Sequence, residues 1–274
     1  MQNYLFQRHF GRLVIHTPHA GTILPLWLHS RPEASRRNYE LKKFIEPFFL
    51  QLTDHYTDKL FSADSLLSVS RDTWGSDPLI DRVKQVSFSY SRLFCDVERL
   101  ENDPLEEKGL GICYDFKKIV ADCPWGSIWD YDKEQALQLY KEHQTVFVNS
   151  LKGMWQPIST LILDCHSFSE RDNVLCPNAH EYEKLDICIG YNEDKSKPSE
   201  DLLLLVRDFF YSRGYNVAFN VPFSNSKTDY WQTTSLMIEV NKHCYMNEDT
   251  LTITAGYYKL HSELQTLYSL LLGL

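Results

Sequence analysis

The stretch Thr160-Leu161-Ile162-Leu163-Asp164-Cys165-His166-Ser167 decides the fold, because an apolar run leads directly into a group of polar side chains. A short continuous apolar run is typical of a strand covered on both faces, as in parallel sheets. Runs of the same kind precede His19 and Glu239. In open α/β sheets, functional groups cluster at the carboxyl ends of the strands. We therefore expect one sheet edge to present two imidazoles and a carboxylate, as in a metal site with its general base.

Strand-like runs alternate with longer amphipathic stretches along the whole chain, without an internal repeat or an interdomain linker. This alternation predicts one α/β domain over residues 1–274. The predicted strands are Leu13–His16, Leu66–Ser70, Thr160–Asp164, Asp186–Gly190, Asn216–Asn220 and Ser235–Val240. The predicted helices are Glu40–Phe61, divided by a break indicated by Pro47 and Thr53-Asp54, then Asp132–Trp155, Ser199–Ser212 and Tyr257–Leu272. Arg71–Trp125 is predicted to be an irregular functional loop or insertion.

Composition narrows the class of protein. The formal net charge is -9, and no basic stripe is present, which argues against a nucleic-acid partner. The amino terminus lacks the apolar core of a signal peptide, and no window reaches the ~18 apolar residues of a membrane span. The cysteines are scattered without a CxxC pair, which favours buried thiols in a reducing compartment. We expect a soluble cytoplasmic protein with no membrane or nucleic-acid partner; its oligomeric state is not indicated.

His19 and His166 are the candidate metal ligands. Each follows an apolar run, and Gly21 allows close approach of the backbone beside His19. A catalytic zinc takes about three protein ligands, mostly histidine with a carboxylate, and keeps a position open for water. Histidines in such places are also often ordinary core residues, so the pattern needs a third ligand to support it.

The third ligand is expected to be a carboxylate outside the first histidine motif, because Thr22 excludes a His-x-x-Glu arrangement. Asp54 and Asp58 lie four residues apart and would share one helix face. If that face meets the sheet edge, one carboxylate could bind the metal while the other orients a ligand or pairs with an arginine. Helix capping by Asp54 and a surface ion pair of Asp58 are the alternative.

Arg92 and Arg99 are the candidate groups for binding substrate. The planar guanidinium suits a substrate carboxylate or a developing oxyanion, although arginines at protein surfaces are common. Either arginine could take either role.

Six sequence motifs, taken in order, resemble the N-formylglutamate amidohydrolase family. They span roughly residues 13–246, and the order of all six makes a chance match improbable. The motifs are Pro18-His19-Ala20-Gly21 followed by Pro25, Thr53-Asp54 to Asp58-Lys59-Leu60-Phe61, Ser91-Arg92 to Asp96-Val97-Glu98-Arg99, Asp164-Cys165-His166-Ser167, Asn220-Val221-Pro222-Phe223, and Ile238-Glu239-Val240-Asn241 with Tyr245-Met246.

The resemblance implies a phosphorylase/hydrolase-like, three-layer α/β/α fold with a mixed, mostly parallel sheet, distantly similar to zinc carboxypeptidases. It implies an enzyme with one Zn²⁺ ion that cleaves the linear amide of an N-acyl amino acid, in the type member N-formyl-L-glutamate to formate and L-glutamate. The implied roles are metal ligation by His19, His166 and Asp54 (with Asp58 as rival), general base for Glu239, catalysis and substrate binding for Arg92, and substrate binding for Arg99, Asn220 and Tyr245.

Two departures from the family pattern bear on substrate identity. Ala20 stands where the family usually has serine, which removes a hydroxyl but no ligand. Residues 224–229 lack the glycine-rich loop that often follows the Asn-x-Pro-Phe sequence.

Three other functions compete with this interpretation. A cysteine or serine hydrolase could use Cys165 or Ser167, but Cys165 and His166 are neighbours on a strand and point to opposite faces. A catalytically inactive binding or regulatory protein would have no need to keep His19, His166 and Glu239 together. A zinc peptidase or amidase acting on another small peptide would use the same groups, because a family label is a weak guide to substrate.

Overall fold

The computed structural model describes residues 9–24, 35–70, 81–120, 133–152, 159–225 and 233–274. Its main sheet consists of β1 Arg12–Thr17, β2 Val83–Ser87, β3 Thr160–Phe168, β4 Ile187–Gly190, β5 Val217–Phe219 and β6 Thr234–Asn241. The strand order is β2-β1-β3-β6-β4-β5, and a small hairpin pairs β7 Met246–Asn247 with β8 Thr252–Ile253. Among the described strands of the main sheet, only β4 and β6 pair antiparallel. The expected mixed, mostly parallel sheet is confirmed.

Helices cover both faces of this sheet. They are α1 Ser35–Leu52, α2 Thr57–Leu60, α3 Asp64–Ser70, α4 Phe116–Ile119, α5 Lys133–Leu151, α6 Glu200–Tyr211 and α7 Ala255–Leu272. On one face, Leu161 and Leu163 pack in a large core with residues of α6 and α7. On the other face, Ile162 packs with Phe147 and Leu151 of α5. Successive residues of β3 thus enter opposite layers, which gives the expected three-layer α/β/α arrangement.

The predicted break within Glu40–Phe61 is confirmed, and it falls at Thr53-Asp54 rather than at Pro47. Helix α1 continues through Pro47 and ends at Leu52, and α2 begins at Thr57. Tyr56 adopts a left-handed backbone conformation with φ of 66°, which reverses the chain direction before α2.

The predicted strand Leu66–Ser70 is wrong, because this segment is helix α3. Leu66 and Leu67 are adjacent apolar residues that pack against the main core beside α7, so the short apolar run belongs to a helix. The missing strand, β2, lies inside the stretch predicted to be irregular. It is an edge strand in which Val83 and Val86 are the buried positions, so its sequence shows neither clean alternation nor a continuous apolar run.

Some expectations fall on residues outside the described ranges. These are Pro25, the segments 71–80 and 121–125 of the predicted loop, Asp132 and residues 153–155 of the long predicted helix, Cys123, and residues 226–229 after the Asn-x-Pro-Phe motif. The described cysteines carry free thiols; those at 95, 165 and 188 are buried as expected, whereas those at 113, 176 and 244 are only partly buried. Within the described residues, every helix is too short or too polar to cross a bilayer.

Candidate metal centre

A cavity of about 430 Å³ lies beside the carboxyl-terminal parts of β1, β3 and β6. Cavities of this size suit a small-molecule ligand. His19 follows the end of β1 by two residues, and His166 and Glu239 each lie two residues before the end of their strand. The residues predicted for the site that line this cavity are His19, Asp54, Arg92, Arg99, His166 and Glu239.

His19, Asp54 and His166 bring three donor atoms together in a buried position. The Nδ1 atoms of the two histidines are 3.2 Å apart. Asp54 Oδ2 lies 3.3 Å from His166 Nδ1 and 3.7 Å from His19 Nδ1. Burial raises the pKa of Asp54, but hydrogen bonds and charges of the two histidines outweigh this effect and hold that pKa well below its ordinary value.

This set of donors fits a zinc ion in both chemistry and spacing. Ligand atoms about 2.0–2.1 Å from a tetrahedral zinc are roughly 3.3 Å from one another, close to the three distances observed here. Two imidazoles and one carboxylate are also the ligand types of many catalytic zinc sites. The three residues can therefore hold a metal ion.

The opposite ring nitrogens of both histidines face carboxylates. His19 Nε2 donates to Asp96 Oδ1 at 2.9 Å, and His166 Nε2 lies 2.9 Å from Glu98 Oε1. A carboxylate beside Nε2 favours a proton on that nitrogen, so Nδ1 would be the atom that binds a metal. Asp96 and Glu98 were not assigned a role from the sequence. The one available signal was their position between Arg92 and Arg99.

Two other donor groups share these histidines, one with Asp96 and Glu98 and one with Glu98 and Asp164. Asp96 already accepts hydrogen bonds from Arg92 Nη2 at 2.9 Å and from Tyr114 at 2.7 Å. Asp164 accepts from His16 Nδ1 at 2.7 Å. Asp96 and the Oδ1 atom of Asp164 are thus engaged by neighbouring donors, whereas Asp54 Oδ2 faces the Nδ1 atoms of both histidines.

His166 has a second layer of support on the α5 face of the sheet. Asp164 Oδ1 lies 3.3 Å from His166 Nε2, and His16 Nε2 lies 3.0 Å from His143 Nε2. His143 belongs to α5, so this polar chain connects the candidate ligand to the helix that covers the sheet. No motif in the sequence marks His16 or His143 for this role.

Glu239 stands next to His166 in the sheet, because the two residues are register partners on β6 and β3. Its side chain lines the cavity, although only 8% of the residue is exposed. Within the described residues, Glu239 Oε2 is buried without a hydrogen-bond partner. Burial raises the pKa of Glu239 to about 8, aided by the charges of Asp54 and Glu98 and opposed by that of His166. A carboxylate in this state is suited to accept and release a proton.

The two arginines differ in how firmly they are held. Arg92 donates from Nε to Tyr114 at 3.0 Å and from Nη2 to Asp96, so its guanidinium is fixed at the cavity wall. Arg99 Nε is 3.4 Å from Asp96 Oδ2 and, among the described residues, has no hydrogen-bond partner. Both arginines line the cavity, but the guanidinium of Arg99 is held less firmly than that of Arg92.

Two close backbone contacts position the segments that carry His19 and Asp54. The backbone N–H of Asp54 donates to the carbonyl of His19 at 3.0 Å, which ties two ligand segments directly together. Gly21 lies so close to the backbone of residues 88–90 that a Cβ at this position would be within 3.0 Å of several main-chain atoms. The His19 segment therefore needs glycine for its approach to the segment that follows β2.

A sequence model of the N-formylglutamate amidohydrolase family matches residues 11–246, a range that includes every site residue named above. The chain belongs to this family. Members are hydrolases acting on an amide, which agrees with the resemblance seen in the six motifs.

Solved structures agree with the fold of this N-formylglutamate amidohydrolase family member. The crystal structure of N-formylglutamate amidohydrolase from Ralstonia eutropha JMP134 is 18% identical, with a TM-score of 0.65, and the match covers 96% of this chain and 93% of that one. Gene product Atu2144 from Agrobacterium tumefaciens is 12% identical, with a TM-score of 0.53, over 97% of this chain and 92% of that one. No curated protein sequence matches the chain.

Three residues considered for the site lie away from the cavity in this family member. Asp58 is absent from the donor groups that surround the histidines. Asn220 uses its side-chain oxygen to accept from the N–H of Tyr191 at 2.8 Å. Tyr245 is fully buried, and its hydroxyl donates to the carbonyl of His55 at 2.8 Å. Among the described residues, the cavity wall includes none of the three.

Proposed function

We propose that residues 1–274 form one catalytic domain, a zinc-dependent amidohydrolase that cleaves the linear amide of an N-acyl amino acid. The first candidate substrate is N-formyl-L-glutamate, after the family to which the chain belongs. The observation that carries the proposal is the group of three donor atoms beside Glu239 in one cavity. A histidine pair, a carboxylate and a buried acid with a raised pKa are the parts that amide hydrolysis needs.

His19, Asp54 and His166 would hold the ion, with Asp96 and Glu98 fixing the orientation of the imidazoles. When bound, zinc supplies Lewis-acid chemistry, which activates water and polarises an amide carbonyl. Every other step is assigned to side chains of this chain.

In its carboxylate form, Glu239 accepts a proton from the attacking water as the new carbon–oxygen bond forms. The same carboxyl group then delivers the proton to the amide nitrogen, and the carbon–nitrogen bond breaks to release a carboxylate and an amine. Arg92 is fixed at the cavity wall and stabilises the negative charge that develops on the carbonyl oxygen. Arg99, with an uncommitted Nε, binds a carboxylate of the amino-acid part of the substrate.

Metal analysis combined with a screen of N-acyl amino acids tests this proposal. We expect one zinc per chain, release of formate from N-formyl-L-glutamate, loss of activity with a chelator and recovery with added zinc. His19→Ala and His166→Ala should both lower the zinc content measured by elemental analysis. Full zinc occupancy in both variants would contradict the metal site.

Two controls separate the competing functions. A thiol reagent should leave activity intact, whereas a cysteine hydrolase would lose it. A protein that holds zinc but hydrolyses no member of the panel would be a binding protein on this fold. Hydrolysis of small peptides in preference to formyl amino acids would indicate a zinc peptidase.

A further inference from the structure

The short connection that carries Asp54 is held on both sides by one turn of the chain. This segment comprises residues 51–55, which are the last two residues of α1 and the first three of its connection to α2, and the turn comprises residues 242–245, directly after β6. Lys242 Nζ donates to the carbonyl of Gln51 at 2.9 Å. Tyr245 donates from its hydroxyl to the carbonyl of His55 at 2.8 Å. Both donor side chains are buried, so water does not compete for either hydrogen bond.

Asp54 depends on such contacts because it does not lie within a helix or strand. Its segment has left the hydrogen-bond pattern of α1, which ends at Leu52, and has not yet entered α2. The Gln51 carbonyl lies at the carboxyl end of α1, where a cation is favoured by the helix dipole. A buried ammonium at this carbonyl therefore fixes the end of the helix from which Asp54 extends.

The turn also follows the strand that carries the general base. Glu239 precedes Lys242 by three residues, and β6 pairs with β3, which carries His166. The two hydrogen bonds thus connect the Asp54 segment to the same strand that positions Glu239. Without them, Asp54 would be tied to the histidines by the Asp54–His19 backbone contact and by its own carboxylate.

We propose that Lys242 and Tyr245 are positioning residues, which hold the carboxylate of Asp54 at the distance from His19 and His166 that metal binding requires. This inference rests on the proposed metal centre. It gives Tyr245 a role different from the substrate contact that the family resemblance implies, because its hydroxyl donates to the Asp54 segment and Tyr245 itself does not line the cavity.

Tyr245→Phe tests the inference by removing one hydroxyl and keeping the ring. The readout is the zinc affinity of the metal-free protein, measured by competition with a chromophoric chelator. We expect the zinc Kd to rise about 10-fold or more, as for other partners that orient metal ligands. At saturating zinc, kcat should recover towards the wild-type value with KM unchanged, since the substrate groups are intact.

Tyr268→Phe is the matched control. Tyr268 is also fully buried, and its hydroxyl also donates to a backbone carbonyl, that of Phe61, at 2.9 Å. This variant loses the same type of hydrogen bond away from the ligands. We expect a comparable loss of stability and a zinc Kd within about twofold of wild type.

Lys242 provides a second, independent pair of variants. Lys242→Met removes the charged donor with little change in shape and should also weaken zinc binding. Lys242→Arg keeps a cationic donor and should restore part of the affinity.

Each outcome decides the inference. An unchanged zinc Kd in Tyr245→Phe and Lys242→Met would overturn it. So would an equal loss of affinity in Tyr268→Phe, because the effect would then follow from stability alone. If the wild-type protein binds no zinc at all, the proposed metal centre fails first, and the positioning role fails with it.

Discussion

Glu239 keeps a proton at higher pH than an ordinary glutamate, because burial raises its pKa to about 8. This buried acid sits in register with His166, and its Oε2 atom has no hydrogen-bond partner among the described residues. A residue that only stabilised the fold would be expected to satisfy both oxygens. The unpartnered oxygen of Glu239 is therefore expected to contact a ligand or to exchange a proton during the reaction.

Glu239→Gln should therefore abolish turnover and leave the metal in place. The amide keeps the shape but can no longer take a proton, and general-base catalysis contributes about 10²–10⁴-fold in rate. Steady-state kinetics and elemental analysis of the same preparation measure both quantities. Glu263→Gln, in α7 away from the cavity, is the control. Near wild-type hydrolysis by the Glu239 variant would remove Glu239 from the mechanism.

His243 makes a contribution to stability that depends on pH. Its Nε2 donates to Asp186 Oδ1 at 2.9 Å, and this hydrogen bond raises the pKa of His243 above its ordinary value. A raised pKa in the folded state stabilises the protein fully below the unfolded pKa of about 6.5, and the effect is lost as pH rises through the folded pKa. His243→Gln should therefore lose more unfolding free energy at pH 5.5 than at pH 9.

Urea unfolding of wild type and His243→Gln at both pH values measures this difference. Asp186 stays ionised throughout, because its hydrogen bonds with His243 and with the Asn216 backbone hold its pKa below the ordinary value despite burial. A free-energy difference that stays constant with pH would mean that the ion pair adds nothing.

Individual site residues were predictable where the sequence offered a motif with a clear chemical type. His19, His166, Glu239 and both arginines were identified in this way, and the structure places all five at one cavity. The carboxylates Asp96 and Glu98 were not assigned, because a charged residue in a loop looks the same whether it supports a ligand or faces water. Contacts made through the backbone, such as those of Tyr245, leave no pattern in the sequence.

At the scale of elements, strands were predictable where apolar residues run without interruption. β1, β3, β4 and β6 are buried on both faces, and their sequences show it. β2 forms the edge of the sheet and has exposed positions, so its pattern was too weak to recognise. The same ambiguity made the apolar run in α3 look like a strand. Burial of a segment, rather than its secondary structure, is what a short apolar run reports.

Gly21→Ala tests how closely two elements must approach. The added Cβ would collide with the backbone of residues 88–90, after β2, where no flexible side chain can give way. Overpacking of this kind typically costs about 1–3 kcal/mol. Because Gly21 follows His19 by two residues, the variant should also bind zinc more weakly.

Urea unfolding and chelator competition measure the two effects of Gly21→Ala. Gly214→Ala is the comparison, since a Cβ at Gly214 meets nothing within 4 Å and strain arises from its φ of +88° alone. It should lose stability without any change in zinc affinity. Unchanged zinc binding in Gly21→Ala would show that the approach of these segments does not position His19.

At the scale of the whole molecule, the candidate metal centre concentrates buried carboxyl groups. Within the described part of the chain, Asp54, Asp96, Glu98, Asp164 and Glu239 are buried around the two histidines, with the buried Arg92 and the half-buried Arg99 beside them. A divalent cation would relieve the repulsion among these carboxylates. Metal binding and folding are therefore expected to be coupled.

Zinc should raise the melting temperature of the metal-free protein. A ligand that binds only the folded state at about 100 times its Kd adds about 2.7 kcal/mol to the unfolding free energy. Thermal unfolding with and without zinc measures the shift, and Mg²⁺ at the same concentration is the control. His166→Ala should abolish the response, and a melting temperature insensitive to zinc would contradict the coupling.

The arrangement of the sheet also sets the order in which the centre is completed during protein synthesis. β3 lies between β1 and β6 in space, yet β6 is the last of the three to leave the ribosome. A nascent chain that ends before β6 has His19, Asp54 and His166. It lacks the strand that pairs with β3 and the turn that holds residues 51–55. Metal loading is therefore expected only after β6 and the turn that follows it have joined the sheet.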